Sequence, residues 1–152
     1  MRLTITQGCT SLEQCIWDAQ QEEQLDETES LRCPLTLMPE TTCKSTAIER
    51  LPQQLLIQLK RFTSYGKNNA AVQIPRRLTL QSSTQGPMQY NISAAVIHHG
   101  GLHNGHYTAI IFSGCNAAIT YCDDTSTRSI SWASAERLLQ QAYLFAYSQT
   151  SL

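Results

Sequence analysis

Four histidines fall between positions 98 and 106 of this chain: His98, His99, His103 and His106. Such crowding fits a metal site, a catalytic base on a strand, or an accident of composition. His106 follows Gly105 and precedes the apolar run YTAIIF, so it is expected to open a strand at the mouth of a glycine-rich loop. Glycine at that point permits another backbone to come close. An imidazole titrates near neutrality, which suits it to take and return a proton. A histidine base also needs an acceptor that fixes its tautomer. The next expected strand ends in YCDDT, and antiparallel pairing would bring that end to the edge where His106 begins, setting Asp123 beside the ring. Asp123 and Asp124 suit the start of a turn equally well. A zinc ion at His103 and His106 is unsupported by further ligands nearby.

The elements that must hold these residues follow from spacing. YNISAAVIHH suits a strand, GGLHNG a turn, HYTAIIF a strand, SGCN a turn and AAITYC a strand, which together make an antiparallel meander. SAERLLQQ reads as a two-turn helix and AYLFAY as a closing strand. Upstream, residues 10–19 read as a short helix capped by Thr10 with Glu13 completing a capping box, and Leu12, Cys15, Ile16 and Ala19 share one face. QQEEQLDETES reads as a solvated loop or helix end. LLIQL (55–59) is a short apolar run behind Pro52, expected to be a strand buried on both faces. TSYGKNN and SSTQGP carry turn chemistry, and AAVQIP between them reads as a brief strand ended by Pro75. The fold class expected is α+β, with sheet dominating the C-terminal two-thirds.

A chain of 152 residues, 41% hydrophobic and 15% charged, has the size and balance of one globular domain. Its net charge of −1 leaves no electrostatic footprint for nucleic acid. No apolar run approaches a membrane span, and the start MRLTITQGCTSLEQ lacks the apolar core of a secretory signal. An intracellular protein, of cytoplasm or nucleus, is therefore expected. Its six cysteines, Cys9, Cys15, Cys33, Cys43, Cys115 and Cys122, are then expected to be reduced, the buried ones acting as small apolar residues.

Taken in order, several segments resemble the ubiquitin-specific protease family. TSLEQCIWDAQQEEQLDETESLRC resembles that family's SLEECL…EEL…C stretch, and LPQQLLIQLKRF (51–62) is similar to its LP..L.I.LKRF. Lys67 and QIPRRLTL come next, then YNISAAVIHHGGLHNGHYTA, which resembles the H.G....GHY His box. YCDDTSTRSIS resembles the DD..V segment, although Ile119 and Cys122 stand where the family prefers aromatics, and QQAYLFAYSQ resembles the terminal AY.L.Y. Several motifs in the right order weigh more than any one. The resemblance implies the C-terminal half of a papain-like catalytic domain, its palm and fingers without the thumb. It also implies thiol chemistry that removes ubiquitin from proteins, with ubiquitin or a ubiquitinated protein as partner. By the same resemblance His106 is the general base and Asp123 the acid that orients it. Asp124 is a supporting hydrogen-bond partner, Gly105 and Tyr107 flank the base, and His98 is the first histidine of the box, not itself catalytic.

The nucleophile has no counterpart. The family carries it in a Cys box, GN.CY.NS, and no N.CY segment occurs in residues 1–152. The chain is therefore expected to be a partial catalytic domain, inactive alone and dependent on a Cys-box-bearing segment or chain. Cys9, just ahead of a helix start with Gln7 two residues before it, is the substitute to consider, because a helix N-terminus lowers a thiol pKa. Both Cys9 and Cys15, however, lie in a stretch resembling the family's segment C-terminal to the Cys box. The family's finger zinc needs two CxxC pairs, whereas here Cys33 faces Thr36 in sequence and Cys43 stands alone. No metal and no cofactor is expected. The other function to weigh is a non-catalytic ubiquitin-binding module, in which Glu22, Glu23 and Asp26 meet ubiquitin's basic tail. In either case the missing thumb should leave apolar surface exposed along the His106 edge.

Overall fold

The computed structural model describes residues 1–26, 28–38, 40–64, 66–101, 104–114 and 118–150. Its spine is the 15-residue strand β8 (Gly86–Gly100). On one edge β8 pairs antiparallel with β12 (Ala142–Gln149), between Tyr90 and Ile97. On the opposite edge it pairs with β7 (Arg77–Ser82) at its start and β9 (Gly105–Ser113) at its end. β10 (Ala118–Asp123) and β11 (Ser126–Ser129) extend the sheet beyond β9. β4 (Gln54–Leu59) and the parallel β1 (Arg2–Leu3) extend it beyond β12. Two-residue pairs, β2 (Glu23–Gln24) with β3 (Cys43–Lys44) and β5 (Phe62–Thr63) with β6 (Gly66–Lys67), stand apart from this eight-stranded sheet. Two short helices, α1 (Leu12–Asp18) and α2 (Trp132–Leu139), complete an α+β fold. None of them is long and apolar enough to cross a membrane.

Side-chain alternation gives the sheet one dry face. The registers align Ile57, Phe145, Ala95, Ile110 and Tyr121 in a cross-strand row, all at most 9% exposed. Leu12, Cys15 and Ile16 of α1 and Ala135 and Leu139 of α2 belong to the same core cluster. One residue further along, the row Leu56, Ala146, Ala94, Ile111 and Thr120 occupies the other face, where Leu56 is 59% and Ile111 45% exposed. This corrects the expectation for LLIQL. β4 alternates rather than burying every residue, because only one face of the sheet is covered.

Other local expectations shift for identifiable reasons. Ser11, not Thr10, caps α1, its hydroxyl accepting from the Gln14 N–H at 3.1 Å. Thr10 instead lends its carbonyl to the Gln73 N–H, and Gln73 in turn accepts from Leu12. Residues 71–75 are thus a tether for the start of α1 with a single bridge, Ser11 to Gln73, and not the strand expected there. The strand lies just beyond Pro75, in β7. Cys9 and Cys15 form a disulfide between buried positions, which corrects the reduced-thiol reading for this pair. The second turn of α1 carries Cys15 back over Cys9, two residues before the Ser11 cap. Cys33, Cys43 and Cys122 are free thiols, and Cys115 lies outside the described residues. The acidic stretch is exposed as expected, but Asp26 is spent on its own turn, accepting from Thr28 N, Thr28 Oγ1 and Glu29 N.

Candidate active site

His106 is the second residue of β9 and pairs directly with His99 of β8. Counting back by twos from buried Ile110 places its side chain on the helix-covered face, beyond the end of the core. Asp123 reaches the same face by the same count from Tyr121. It closes β10, where Asp123 pairs with Ser126 across a turn of Asp124 and Thr125. Asp124 sits in that turn with φ 49°, a left-handed conformation that aspartate tolerates better than most residues. Turn chemistry and site chemistry, alternatives in the sequence, therefore coincide in the same two aspartates.

The juxtaposition is direct. His106 Nε2–H donates to Asp123 Oδ1 at 2.5 Å, with both side chains 45% exposed. A carboxylate offers only acceptors, so the bond assigns the proton to Nε2 and leaves Nδ1 as the basic nitrogen. The Asp123 hydrogen bond raises the imidazole pKa above its ordinary value, and the charges of Asp124 and Asp123 add to the shift. Asp124 contributes to that shift through its charge.

These three side chains also bring ligand-type atoms within 4.8 Å of one another. Two ligands on one tetrahedral zinc, each about 2.0–2.1 Å from the ion, stand roughly 3.3 Å apart. His106 Nε2 and Asp123 Oδ1 are instead joined to each other by a hydrogen bond. His103, the other histidine considered for zinc, lies outside the described residues.

Gly105 is dictated by its neighbours. A β-carbon there would collide with the His98 ring and stand 2.5 Å from the His99 carbonyl oxygen. His98 is only 6% exposed, and its ring packs edge-on to Phe62 at 5.2 Å and against Tyr107 at 4.7 Å. Tyr143 closes this aromatic group, 5.9 Å from Phe62 and 6.2 Å from Tyr107. His99 Nε2 meets Thr108 Oγ1 at 2.9 Å. The sequence marks LKRF as a motif but not what its residues do. Phe62 supports the His98 ring. Arg61, fully buried, donates to the carbonyls of Asn68, Ala70, Gln140 and Ala142.

Comparison with known proteins identifies the family. The ubiquitin carboxyl-terminal hydrolase family model matches residues 5–147. The chain belongs to that family. Ubiquitin carboxyl-terminal hydrolase 4 of Vanderwaltozyma polyspora is 32% identical over 155 residues, which cover 88% of this chain and 18% of that protein. Ubiquitin carboxyl-terminal hydrolase 3 of Mus musculus is 37% identical over 112 residues, covering 65% of this chain and 22% of the relative. A chain of a solved SAGA DUB module bound to monoubiquitin superposes with a TM-score of 0.84 at 26% identity, over 99% of this chain and 35% of that one. The chain therefore spans about a fifth of the length of these curated hydrolase relatives. The family that the ordered motifs implied and the α+β class that the spacing of strands and helices implied are both borne out.

The described cysteines stand in different surroundings. Cys9 and Cys15 are bonded to each other. Cys33 lies in a turn where the Thr36 hydroxyl, then the Thr36 and Leu35 N–H groups, lower its pKa. Glu22 raises that of Cys43. Cys122 is on β10, where it pairs with Ala109 on the face opposite His106.

Proposed function

We propose that this chain is the base-bearing part of a cysteine-type deubiquitinase. In this reading His106 Nδ1 accepts the proton of a thiol supplied by another segment, and the resulting thiolate attacks the isopeptide carbonyl at the C-terminus of ubiquitin. Asp123 holds the ring in the Nε2–H tautomer and stabilises the imidazolium that forms. Asp124 adds favourable charge, Gly105 lets the strand approach His98, and Tyr107 packs the opposite face of β9. The observation that carries the reading is the bond between His106 Nε2 and Asp123 Oδ1, which leaves one basic nitrogen at the end of a strand. Family membership and the monoubiquitin named with the solved neighbour favour ubiquitin as the partner.

The test uses ubiquitin bearing a thiol-reactive electrophile at its C-terminus. The 152-residue chain alone should form no adduct. With a separately supplied Cys-box segment from a related hydrolase, an adduct should form on the added cysteine. That adduct should fall by about two to four orders of magnitude in rate with His106→Ala. An adduct on one of this chain's own cysteines, or labelling indifferent to His106, would discard the proposal.

A further inference from the structure

The strand that faces His106 loses one of its partners before it ends. β12 pairs with β8 only as far as Ala142 opposite Ile97, so His98, His99 and Gly100 have β9 as their strand neighbour and an open edge on the other side. The His99 carbonyl is turned toward β9, against Gly105. Alternation turns the carbonyls of His98 and Gly100 the other way, where no strand among the described residues receives them.

Lys67 occupies that gap. Its ammonium donates to the His98 carbonyl at 2.5 Å and to the Gly100 carbonyl at 3.4 Å. Among the described residues it meets no carboxylate, so the two backbone oxygens are its counter-dipoles. The β5–β6 hairpin that carries Lys67 is pinned a second time by Phe62, which pairs with Lys67 across the hairpin and packs on the His98 ring. Gly100 pairs with Gly105, and Gly105 is the neighbour of His106. We infer that Lys67 is a positioning residue for the base: its two-carbonyl clamp replaces the missing strand at the end of β8 and so fixes the start of β9, on which His106 meets Asp123. The inference rests on the reading of His106 as the general base.

A charge and a clamp leave opposite signatures. Were Lys67 only a nearby cation, its removal would raise the proton affinity of His106. Loss of the clamp lets His106 drift from Asp123 and lowers it, since the Asp123 bond is the first cause of the upward shift. The experiment is proton NMR of the 152-residue chain as wild type, Lys67→Met and Lys67→Arg, alongside thermal melting. Methionine keeps much of the aliphatic stem without the donor, and arginine can donate to both carbonyls.

The wild type should show a downfield Nε2–H signal from the His106–Asp123 bond. K67M should lose that signal and move the His106 titration down, with the melting midpoint within about 4 °C of wild type, and K67R should restore both. An unchanged signal or an upward titration in K67M would overturn the inference while leaving the proposed function standing. Loss of cooperative melting in both variants would overturn it too, making Lys67 a residue of folding. Absence of the signal in the wild type would instead remove the His106–Asp123 pair itself, and the reading of the base with it.

Discussion

A ring nitrogen that donates to a carboxylate makes the other nitrogen more basic, so the bond that orients His106 also tunes it. Asp123→Asn keeps the shape of the side chain and removes its charge. The His106 titration should then move down toward the ordinary histidine value, read from the ring proton shifts across pH. The stability consequence has a definite sign. Because the folded value lies above the unfolded one of about 6.5, the pair's contribution is complete below that pH and disappears as pH rises through the raised folded value. The gap in melting temperature between wild type and D123N should therefore be wider near about pH 5.5 than near about pH 9. A gap that widens with pH would detach Asp123 from His106. This pair was half legible in the sequence: strand-end logic brought Asp123 to the edge where His106 begins, but a turn explained the aspartates equally well, and the family resemblance supplied the roles. Lys67 and Arg61 were not legible, since their partners are backbone carbonyls, which leave no mark on residue type.

At the scale of elements, Arg61 shows what a polar residue in the core can hold. It is fully buried at the exit of β4, and its guanidinium joins the carbonyls of Asn68 and Ala70 to those of Gln140 and Ala142, at the junction of α2 and β12. Burial lowers its pKa to about 10, which leaves it charged at neutral pH. Arg61→Met fills much of the volume but orphans the buried Ala142 oxygen and three part-buried ones, at about 1–3 kcal/mol each where no water reaches them. The expected loss is on the order of 3–5 kcal/mol in urea unfolding. Arg61→Lys should fall between, because a single ammonium cannot span the same carbonyls. A loss under about 1 kcal/mol for R61M would show that those oxygens find other donors. The strands β8, β9, β10 and β12 and the helix α2 were legible because each carries its own period. AAVQIP carried a strand-like pattern too and did not become one. Val72 and Ile74 are buried, but Gln73 spends its backbone on α1, and both edges of β8 beside it belong to β7 and β12.

At the scale of the molecule, the sheet has a dry face and an apolar wet one. The wet face carries the row Leu56, Ala146, Ala94, Ile111 and Thr120, beside a second row of Gln58, Leu144, Val96, Ala109 and Cys122. Leu56 and Ile111 are 59% and 45% exposed, and Tyr107, on the same face of β9, is 55% exposed. A soluble monomer rarely keeps so much apolar surface contiguous, and two copies can bury it against each other without any change of fold. The expected behaviour of the isolated chain is concentration-dependent self-association, read by sedimentation velocity. Leu56→Thr with Ile111→Thr puts β-branched residues at both strand positions while making the face polar. That double variant should shift the distribution toward monomer and change unfolding free energy by no more than about 0.5 kcal/mol per site, since neither side chain belongs to the buried core. A loss above about 2 kcal/mol would instead mean that both leucine and isoleucine are packed in solution and that this face is part of the chain's own interior.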